Sequence, residues 1–338
     1  MKIVVIGSMR PLNEHYTYAT SFATTLHNLG HTVITINTLQ PFNKHVLKKI
    51  YAYFLNYKII AHIKKEQPNL IIIIKGNSIF ARTLRWIKQN TTNTIVHFHP
   101  DNPFAFWNGN SNANVLKGLP YIDYWLSWSH MLVPALLSAG ANNVIYFPFA
   151  FDHTQFSQTP TITSEDKILF SCSVSFVGSW EPAREQWLTH IITTLPNIDL
   201  KIWGYGWNQY LAEKSPLKKV IQTDSVTIIT MIKIFQLSMI NLNFIRQQNS
   251  TAHNMRTFEI PASNGFVLAE RTNEHISDPF RENENIACFS SQDELVKKIL
   301  FYTQEPELRK KITNAGNLAV QEYTLQKQLG ILIDRLNP

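Results

Sequence analysis

The chain has 338 residues, of which 44% are hydrophobic and 16% are charged. This composition excludes an extensively disordered protein, and the length exceeds what one hydrophobic core usually supports, so we expect two domains of roughly 150 to 180 residues each. The 31 lysines and arginines outnumber the 24 aspartates and glutamates, and the net charge of +7 favours an anionic partner such as a nucleotide-sugar, an anionic lipid or a nucleic acid.

In the first half of the chain, short apolar runs alternate with longer helical patterns. The run Leu70–Ile74 is apolar at every position, as expected for a central strand covered on both faces. The helix Tyr18–Leu29 ends at Gly30 before the next strand. The alternation predicts a doubly wound parallel sheet. Its predicted strands are Ile3–Ile6, Val33–Ile36, Leu70–Ile74, Ile95–Phe98, Tyr124–Trp128 and Val144–Phe147.

Polar residues follow two of these strands, at the edge where open α/β sheets bind ligands. Gly7 and Ser8 end the first strand, and His99 and Asp101 follow the fourth. A histidine beside a carboxylate is a plausible general base. In the competing interpretation the segment after the fourth strand is only a capped turn. His97 is predicted to face the core.

Residues 42–67 are both basic and aromatic. Lysines interleave there with Ile50, Tyr51, Phe54, Leu55 and Tyr57. The pattern fits contact with an anionic membrane, and it also fits a surface helix packed on its own sheet. The lysines are Lys44, Lys48, Lys49, Lys58, Lys64 and Lys65.

The second half of the chain repeats the rhythm of strands and helices. Prolines and a change of rhythm mark a linker at Phe147–Asp152, so we assign residues 1–150 to one domain, 151–317 to another and 318–338 to a C-terminal helix. The predicted strands are Ile168–Val177, Leu200–Trp203, Ile240–Phe244, Phe266–Ala269 and Ile286–Phe289, with helices at Glu294–Tyr302 and Pro306–Glu322.

Two turns in this half combine glycine with groups that recognise nucleotides. Gly178 and Ser179 end a strand, and Arg184 opens a predicted helix, an arrangement that suits a diphosphate unless the turn is structural and the arginine solvated. Gly204 and Tyr205 lie between Trp203 and Trp207. Aromatic rings there can stack on a base, although core packing of both tryptophans is the competing explanation.

The segment 254–270 places a cation, a carboxylate and a glycine turn together. Arg256 and Glu259 lie three residues apart on one face of a predicted helix, and Gly265 lets backbone amides approach a ligand. The carboxylate can accept ribose hydroxyls, while the guanidinium and the helix N-terminus favour phosphates. An ordinary helix entry with a surface ion pair is the competing interpretation.

The stretch Asn254–Ala262, followed by Gly265 and a strand, resembles the donor-binding motif of the CgeB-like glycosyltransferases, a branch of the GT-B class with a C-terminal domain of the glycosyltransferase group 1 type. The resemblance extends over most of the chain. It implies an α/β fold of two Rossmann-like domains with parallel sheets facing each other across a cleft, with the C-terminal helix crossing back to the N-terminal domain.

The resemblance also implies roles for the residues singled out above. The implied sugar-donor and nucleotide site is Gly178, Ser179, Arg184, Gly204, Tyr205, Asn254, Arg256, Glu259 and Gly265. From their places after the strands, we predict His99 and Asp101 as catalytic residues and Gly7 and Ser8 as the acceptor side. The resemblance adds an Asp-x-Pro after the same strand, which matches Asp101 to Pro103. One departure concerns a glutamate pair common in retaining relatives: Glu259 occupies its second place, but Thr251 occupies the first.

The sequence shows no covalent nucleophile and no His or Cys cluster with metal-ligand spacing. We therefore expect metal-independent transfer of a sugar from a nucleotide-diphosphate sugar to a glycan, a lipid-linked saccharide or a protein, with no further cofactor. The alternative is a catalytically inactive nucleotide-sugar binding or coat-associated protein of the same fold. Peripheral membrane contact through residues 42–67 stays open, and no nucleic acid is expected, because the lysines are dispersed.

Cys172 and Cys288 lie in predicted strands. A disulfide framework is therefore not expected, a reducing compartment fits, and neither thiol is expected to be catalytic. The apolar run at residues 3–6 is too short for a signal peptide, and no segment approaches the roughly 18 apolar residues of a membrane span. These features predict a cytoplasmic protein, with peripheral attachment to the inner face of the membrane as an extension.

Overall fold

The computed structural model describes residues 1–10, 17–40, 42, 44–249, 251–274 and 279–336. The chain divides into two compact units, Met1–Pro148 together with Leu325–Pro338, and Phe149–Thr324. The first division lies two residues before the one assigned from the sequence, and the second lies seven residues after it.

The described strands of the first unit form one parallel sheet in the order β2-β1-β3-β4-β5-β6. The central strand β3 is buried at every position, as its continuous apolar run predicts. The strands are β1 (Lys2–Gly7), β2 (Thr32–Asn37), β3 (Leu70–Ile74), β4 (Thr94–Phe98), β5 (Tyr124–Ser127) and β6 (Val144–Tyr146).

Helices cover this sheet and bury their apolar sides against it. The first begins after Thr17, whose side-chain oxygen accepts the backbone N–H of Thr20 and so caps the helix. The C-terminal helix packs against the first helix within the same unit. The helices are α1 (Tyr18–Asn28), α2 (His45–Glu66), α3 (Ala81–Asn90), α4 (Ala113–Gly118), α5 (Leu132–Ser138) and, numbered by its place in the chain, α14 (Leu325–Leu336).

The second unit holds a parallel sheet in the order β11-β10-β9-β7-β8. Its strands are β7 (Cys172–Val177), β8 (Leu200–Trp203), β9 (Ser238–Asn243), β10 (Val267–Glu270) and β11 (Ala287–Phe289). Its helices are α6 (His153–Phe156), α7 (Ser164–Phe170), α8 (Pro182–Thr194), α9 (Trp207–Tyr210), α10 (Ile228–Leu237), α11 (Arg256–Ala262), α12 (Gln292–Gln304) and α13 (Pro306–Val320).

Two predicted elements are corrected by the structure. The predicted strand Ile168–Val177 starts as helix α7, because Thr163 and Asp166 form a reciprocal capping box that nucleates it. The C-terminal helix predicted at residues 318–338 is divided between the end of α13 and α14, because the chain turns after Val320 and Thr324 forms a parallel bridge with Phe151. Residues 337 and 338 of that prediction lie outside the described residues.

Both cysteines lie in strands as predicted, Cys172 in β7 and Cys288 in β11. Cys172 and Cys288 are free and buried, and burial raises the pKa of their thiols to about 11 and about 12, respectively, so both stay protonated and unreactive at neutral pH. Within the described ranges, no helix combines the length and the apolar character needed to cross a bilayer.

Candidate functional site

The turn after β7 packs backbone against backbone with the turn after β8. The Gly178 N–H donates to the Trp203 carbonyl (2.9 Å), and the Trp207 indole N–H donates to the Gly178 carbonyl (2.8 Å). Gly204 has a φ of 138°, and a Cβ there would lie 2.2 Å from the Gly178 oxygen. The structure therefore brings Gly178 and Gly204 together, and only glycine fits at position 204.

Arg184 lies beneath this turn, near the start of α8. Its Nη1 donates to the Ser179 carbonyl (2.9 Å), with the Ser179 Oγ at 3.4 Å, and its guanidinium lies over the Phe176 ring at 5.6 Å. The side chain is buried, and burial lowers its pKa to about 10. The Arg184 guanidinium is therefore still charged at neutral pH. A Glu181 carboxylate oxygen lies 3.7 Å from its Nη1 and offsets part of this charge. The alternative of a solvated arginine is wrong.

Arg246 is a second cation at the same turn, and sequence reasoning missed it. Its Nη2 lies 3.4 Å from the Ser179 Oγ, and its Nε lies 2.5 Å from a Glu181 carboxylate oxygen. The signal was present, because Arg246 lies two residues after the end of the predicted strand Ile240–Phe244. The side chain stays 42% exposed, so it is accessible to a ligand.

Arg256 is the third cation. It opens α11 as predicted, and its Nε donates to the Val177 carbonyl at the end of β7 (3.3 Å). Its guanidinium also forms an ion pair with Glu259, three residues along the helix, which confirms the shared face. Glu259 is fully buried, and burial raises its carboxyl pKa while Arg256 opposes that shift. Its Oε1 has no hydrogen-bond partner among the described residues.

The burial of Glu259 rules out the surface ion pair of the competing interpretation. The observed side-chain contact of Glu259 is with Arg256, which it holds near the end of β7. A contact between the Glu259 carboxylate and ribose hydroxyls stays a prediction.

Asn254 and Glu270 support the same strand ends. The Asn254 side-chain amide donates to the Asn243 side chain (2.8 Å), and its oxygen accepts the Thr257 N–H (3.2 Å) at the start of α11. Glu270 ends β10 and accepts the N–H of Ile245 (2.9 Å). Burial raises the pKa of the Glu270 carboxyl, whereas that backbone contact and Arg184 lower it.

Gly265 does not join this cluster. It precedes β10, whereas Glu270 ends that strand, so it lies at the opposite edge of the sheet. A Cβ there would lie 2.9 Å from the Phe235 carbonyl oxygen and from an Ile260 methyl group, so its glycine is required for packing. The predicted role of Gly265 in approaching a ligand is therefore corrected.

Tyr205 is exposed, and its backbone oxygen accepts the Trp180 N–H (2.8 Å) beside the Gly178 turn. Its ring is therefore accessible, and stacking on a base stays a prediction. Trp203 and Trp207 are buried, which confirms the packing explanation for both tryptophans.

In the first unit, Gly7 allows α1 to approach β1 closely. A Cβ there would lie 2.5 Å from the Ala19 Cβ and 3.1 Å from the Ile74 Cβ. Gly7 is itself buried and Ser8 is partly exposed. The observed contacts of Gly7 are therefore packing contacts, and an acceptor role for both residues remains a prediction.

His99 is buried, and both of its ring nitrogens lie within hydrogen-bond distance of protein oxygens. Its Nδ1 is 2.8 Å from the Asp101 carbonyl oxygen, and its Nε2 is 3.1 Å from the Asn77 side-chain oxygen. Burial lowers the pKa of His99 to about 4, and that of His97, which faces the core as predicted, to about 3. The observed contacts of the His99 ring fix the turn that carries Asp101, and its catalytic role stays a prediction.

Asp101 keeps a partly exposed carboxylate at the end of β4. Its Oδ2 accepts a hydrogen bond from the Lys75 ammonium at 2.7 Å, and Lys75 follows β3 directly. The ion pair fixes the carboxylate in place at the carboxyl edge of the sheet. Of the two predicted catalytic residues, Asp101 has the accessible side chain.

Exposed aromatic rings follow Asp101 in the chain. Phe106 and Trp107 are each about half exposed, at 49% and 52%. The amide of Asn77 holds this loop by donating to the carbonyls of Gly109 and Asn110, both at 3.2 Å. The edge of the sheet thus carries a carboxylate and a fixed aromatic loop. Sequence reasoning missed both rings, although they lie in the loop after a predicted strand.

In the described part of the chain, no group of three His, Cys, Asp or Glu side chains is placed to hold a metal ion. A pocket of about 780 Å³ lies at the amino edge of the first sheet, where it is lined by Ile63, Asn69 and Trp86. It contains none of the predicted site residues, and ligands of open α/β sheets bind at the carboxyl edge instead.

Comparisons with known proteins agree with this architecture. Residues 184–334 match the model of a family described as glycosyl transferase-like. A sequence search of curated proteins found no match.

Solved structures match over the whole chain. Sucrose-phosphate synthase from Thermosynechococcus elongatus is 12% identical with a TM-score of 0.75, covering 99% of this chain and 98% of that one. An alpha-glucosyltransferase in complex with UDP-glucose and DNA containing an abasic site is 10% identical with a TM-score of 0.69, covering all of both chains. UDP-GlcNAc 2-epimerase from Neisseria meningitidis, bound to UDP-GlcNAc, is 12% identical with a TM-score of 0.61, covering 99% of both.

These likenesses show the GT-B fold: an α/β protein of two domains, each built on a parallel sheet, as predicted. At such low identity the fold alone is shown, and the epimerase demonstrates that this fold carries more than one reaction. The CgeB-like resemblance stays a prediction.

Proposed function

We propose that this protein is a glycosyltransferase that uses a nucleotide-diphosphate sugar. The observation that carries the proposal is the convergence of Arg184, Arg246 and Arg256 on the end of β7, within residues 177–179. Guanidinium groups suit phosphate oxygens, and the turn lies at the start of helix α8, whose N-terminus also favours an anion. The glycosyl transferase-like match over residues 184–334 and the neighbours solved with UDP-sugars support the same ligand class.

In the proposed site, the diphosphate contacts the Gly178–Ser179 turn and the exposed guanidinium of Arg246. Arg184 and Arg256 contribute charge from beneath, and Glu259 positions Arg256. Tyr205 offers its exposed ring to the base. The proposed site includes every predicted donor residue except Gly265, and it adds Arg246. In it, Asn254 and Gly204 fix the conformation of the turns.

The proposed reaction needs no metal ion. The bond between the anomeric carbon and the diphosphate oxygen breaks, and its electron pair leaves with the nucleoside diphosphate. An acceptor oxygen forms the new bond to the anomeric carbon, and its proton passes to the Asp101 carboxylate. The arginines stabilise the charge that develops on the departing diphosphate.

The first unit favours a sugar hydroxyl as the acceptor. Phe106 and Trp107 expose aromatic faces in the loop after Asp101. Ligand sites combine such apolar surfaces with a few fixed polar groups, and a sugar ring presents both an apolar face and hydroxyls. The proposal therefore places a glycan, free or lipid-linked, before a protein among the acceptor classes.

The test is a thermal-shift screen against UDP, GDP, CDP, ADP and their common sugar conjugates. A ligand that binds only the folded state raises the melting temperature. Arg246→Ala is expected to weaken binding of the active nucleotide by roughly 10- to 100-fold, because a charge-assisted hydrogen bond contributes about 1.5 to 3 kcal/mol. Arg281→Ala removes a well-exposed arginine of the same unit and is the matched control.

A shift with one nucleotide that Arg246→Ala removes and Arg281→Ala preserves would support the site and name the base. An absence of any shift, or a shift that Arg246→Ala leaves unchanged, would contradict it.

A second candidate is a nucleotide-sugar binder without turnover. It is favoured by Thr251, which stands where retaining relatives commonly carry a sugar-contacting glutamate. Donor hydrolysis and transfer to simple sugars, measured at saturating nucleotide-sugar, separate the two: binding without either reaction would favour the binder.

A further inference from the structure

Helix α2 is apolar on two opposite faces. One face carries Leu55, Ile59 and Ile63, which are buried in the core of the first unit. The opposite face is exposed, and on it Tyr53 also packs against the Phe80 ring at 5.1 Å.

The exposed face forms one continuous stripe. It consists of Val46, Ile50, Tyr53, Phe54 and Tyr57, whose exposed fractions lie between 59% and 73%. At 100° per residue these positions fall within an arc of about 100°, and they extend over about 17 Å of the helix. Isolated exposed apolar residues are ordinary, but five apolar or aromatic residues along one face of a helix mark an interaction surface.

Cations border the stripe on both sides. Lys49 and Lys58 are exposed and lie about 90° to either side of it. The Arg82 guanidinium reaches the Tyr53 ring at 5.0 Å. Residues 44–65 include no acidic residue. Within the described part of the chain, Lys49 and Lys58 form no ion pair with a carboxylate, so their charge is available to a partner.

We propose that α2 docks the protein on an anionic phospholipid bilayer. In this arrangement the helix lies parallel to the surface, the stripe enters the boundary between headgroups and acyl chains, and the flanking cations meet lipid phosphates. The charges disfavour a second copy of the chain as the occupant, because two such stripes would bring lysines against lysines. The proposal involves no residue of the sugar-donor site and so goes beyond the proposed function.

The test is vesicle flotation of the full chain with phosphatidylcholine alone and with an equal mixture of phosphatidylcholine and phosphatidylglycerol. Ile50→Ser/Phe54→Ser/Tyr57→Ser is expected to reduce binding to the mixed vesicles by at least about tenfold, because most of the inserted apolar surface is lost. Lys49→Gln/Lys58→Gln is expected to reduce it by about fivefold per lysine.

Ile168→Ser/Leu318→Ser is the matched control. It removes two side chains that are 78% and 73% exposed on other helices, and binding is expected to stay unchanged. Melting temperatures of all variants, with and without the nucleotide that wild type binds, confirm that fold and donor site are intact. A failure of nucleotide binding is therefore recorded separately from a failure of vesicle binding.

Three outcomes would overturn the proposal. The first is binding to mixed vesicles that survives the triple serine substitution. The second is equal binding to neutral and mixed vesicles, which would remove the role of the cations. The third is no vesicle binding together with a dimer that the triple substitution dissociates, which would assign the stripe to a second copy.

Discussion

The carboxyl edges of the two sheets occupy equivalent topological positions but differ in charge. In the second unit, three guanidiniums converge on the end of β7. In the first unit, the end of β4 carries two histidines whose burial keeps them neutral, one Lys75–Asp101 ion pair and an aromatic loop. The fold places a candidate site at each of these edges, and the side chains differ in the ligand class that we propose for them: an anion in the second unit and an uncharged, hydroxyl-bearing molecule in the first.

The largest effect is expected from Asp101→Asn, which tests the carboxyl edge of the first sheet. A general base contributes about 10²- to 10⁴-fold, so transfer should fall by that factor while the affinity for the nucleotide-sugar stays the same. The measurement is kcat with saturating sugar donor, beside nucleotide affinity. Asp334→Asn, on the exposed side of α14, is the control. Turnover within threefold of wild type would remove Asp101 from the mechanism.

Gly204→Ala tests whether the arginine-rich site of the second unit depends on the close packing of the Gly204 and Gly178 backbones. An added Cβ would meet the Gly178 carbonyl at 2.2 Å, at a φ of 138° that side chains rarely adopt. We expect a loss of about 2 to 4 kcal/mol in the free energy of unfolding, with weaker nucleotide binding. Denaturant unfolding measures it. Gly330→Ala is the control, since a Cβ at that helical position meets nothing within 4 Å and should stabilise slightly. Equal effects of both substitutions would contradict the assignment.

The smallest expected effect is the dependence of the free energy of unfolding on pH. It tests whether the two histidines of the first unit are neutral in the folded protein. An unfolded histidine titrates near 6.5, whereas the folded pKa is about 3 for His97 and about 4 for His99. Between these values the unfolded chain binds more protons, so stability is present above pH 6.5 and is lost as the pH falls. The expected loss is about 1.4 kcal/mol per pH unit for each histidine.

His97→Phe should reduce this slope by about one histidine's share, because a phenyl ring does not titrate. Denaturant unfolding between pH 7 and pH 4 gives the slope for each variant. His27→Gln replaces an exposed histidine of α1 and should leave the slope as it is in wild type. A wild-type slope that His97→Phe leaves unaltered would show that other groups govern the acid limb.

Local sequence patterns correctly predicted the elements whose structure depends on neighbouring residues. The continuous apolar run of β3, the helix at Arg256–Ala262 and the burial of Trp203 and Trp207 followed from residue type and spacing. The start of β7 was wrong, because a capping box at Thr163 outweighed the β-branched and apolar residues that follow. The capping box can be recognised in the sequence, but the apolar residues after it are the more conspicuous pattern and predict a strand.

The composition of the candidate site could be predicted only in part. Arg184 and Arg256 stand beside turns that look like phosphate sites, and both are at the end of β7. Arg246 lies more than 60 residues from Ser179 in the chain, and nothing local relates the two. Gly265 follows the motif in sequence but lies at the other edge of the sheet, because helix α11 carries the chain there before β10 begins.

By itself, the sequence determined the alternation of strands and helices, the two-domain α/β class and the carboxyl edges as the place for polar residues, since all three depend on local periodicity and short turns. Only the tertiary structure decided which side chains meet and which are exposed. It buried Glu259 and His99, exposed Arg246, and set an apolar stripe on the outer face of α2. The burial of a side chain and the meeting of several side chains at one place both arise from packing between distant segments. Burial in turn shifts the pKa of a carboxyl or an imidazole and decides whether a guanidinium is accessible to a ligand.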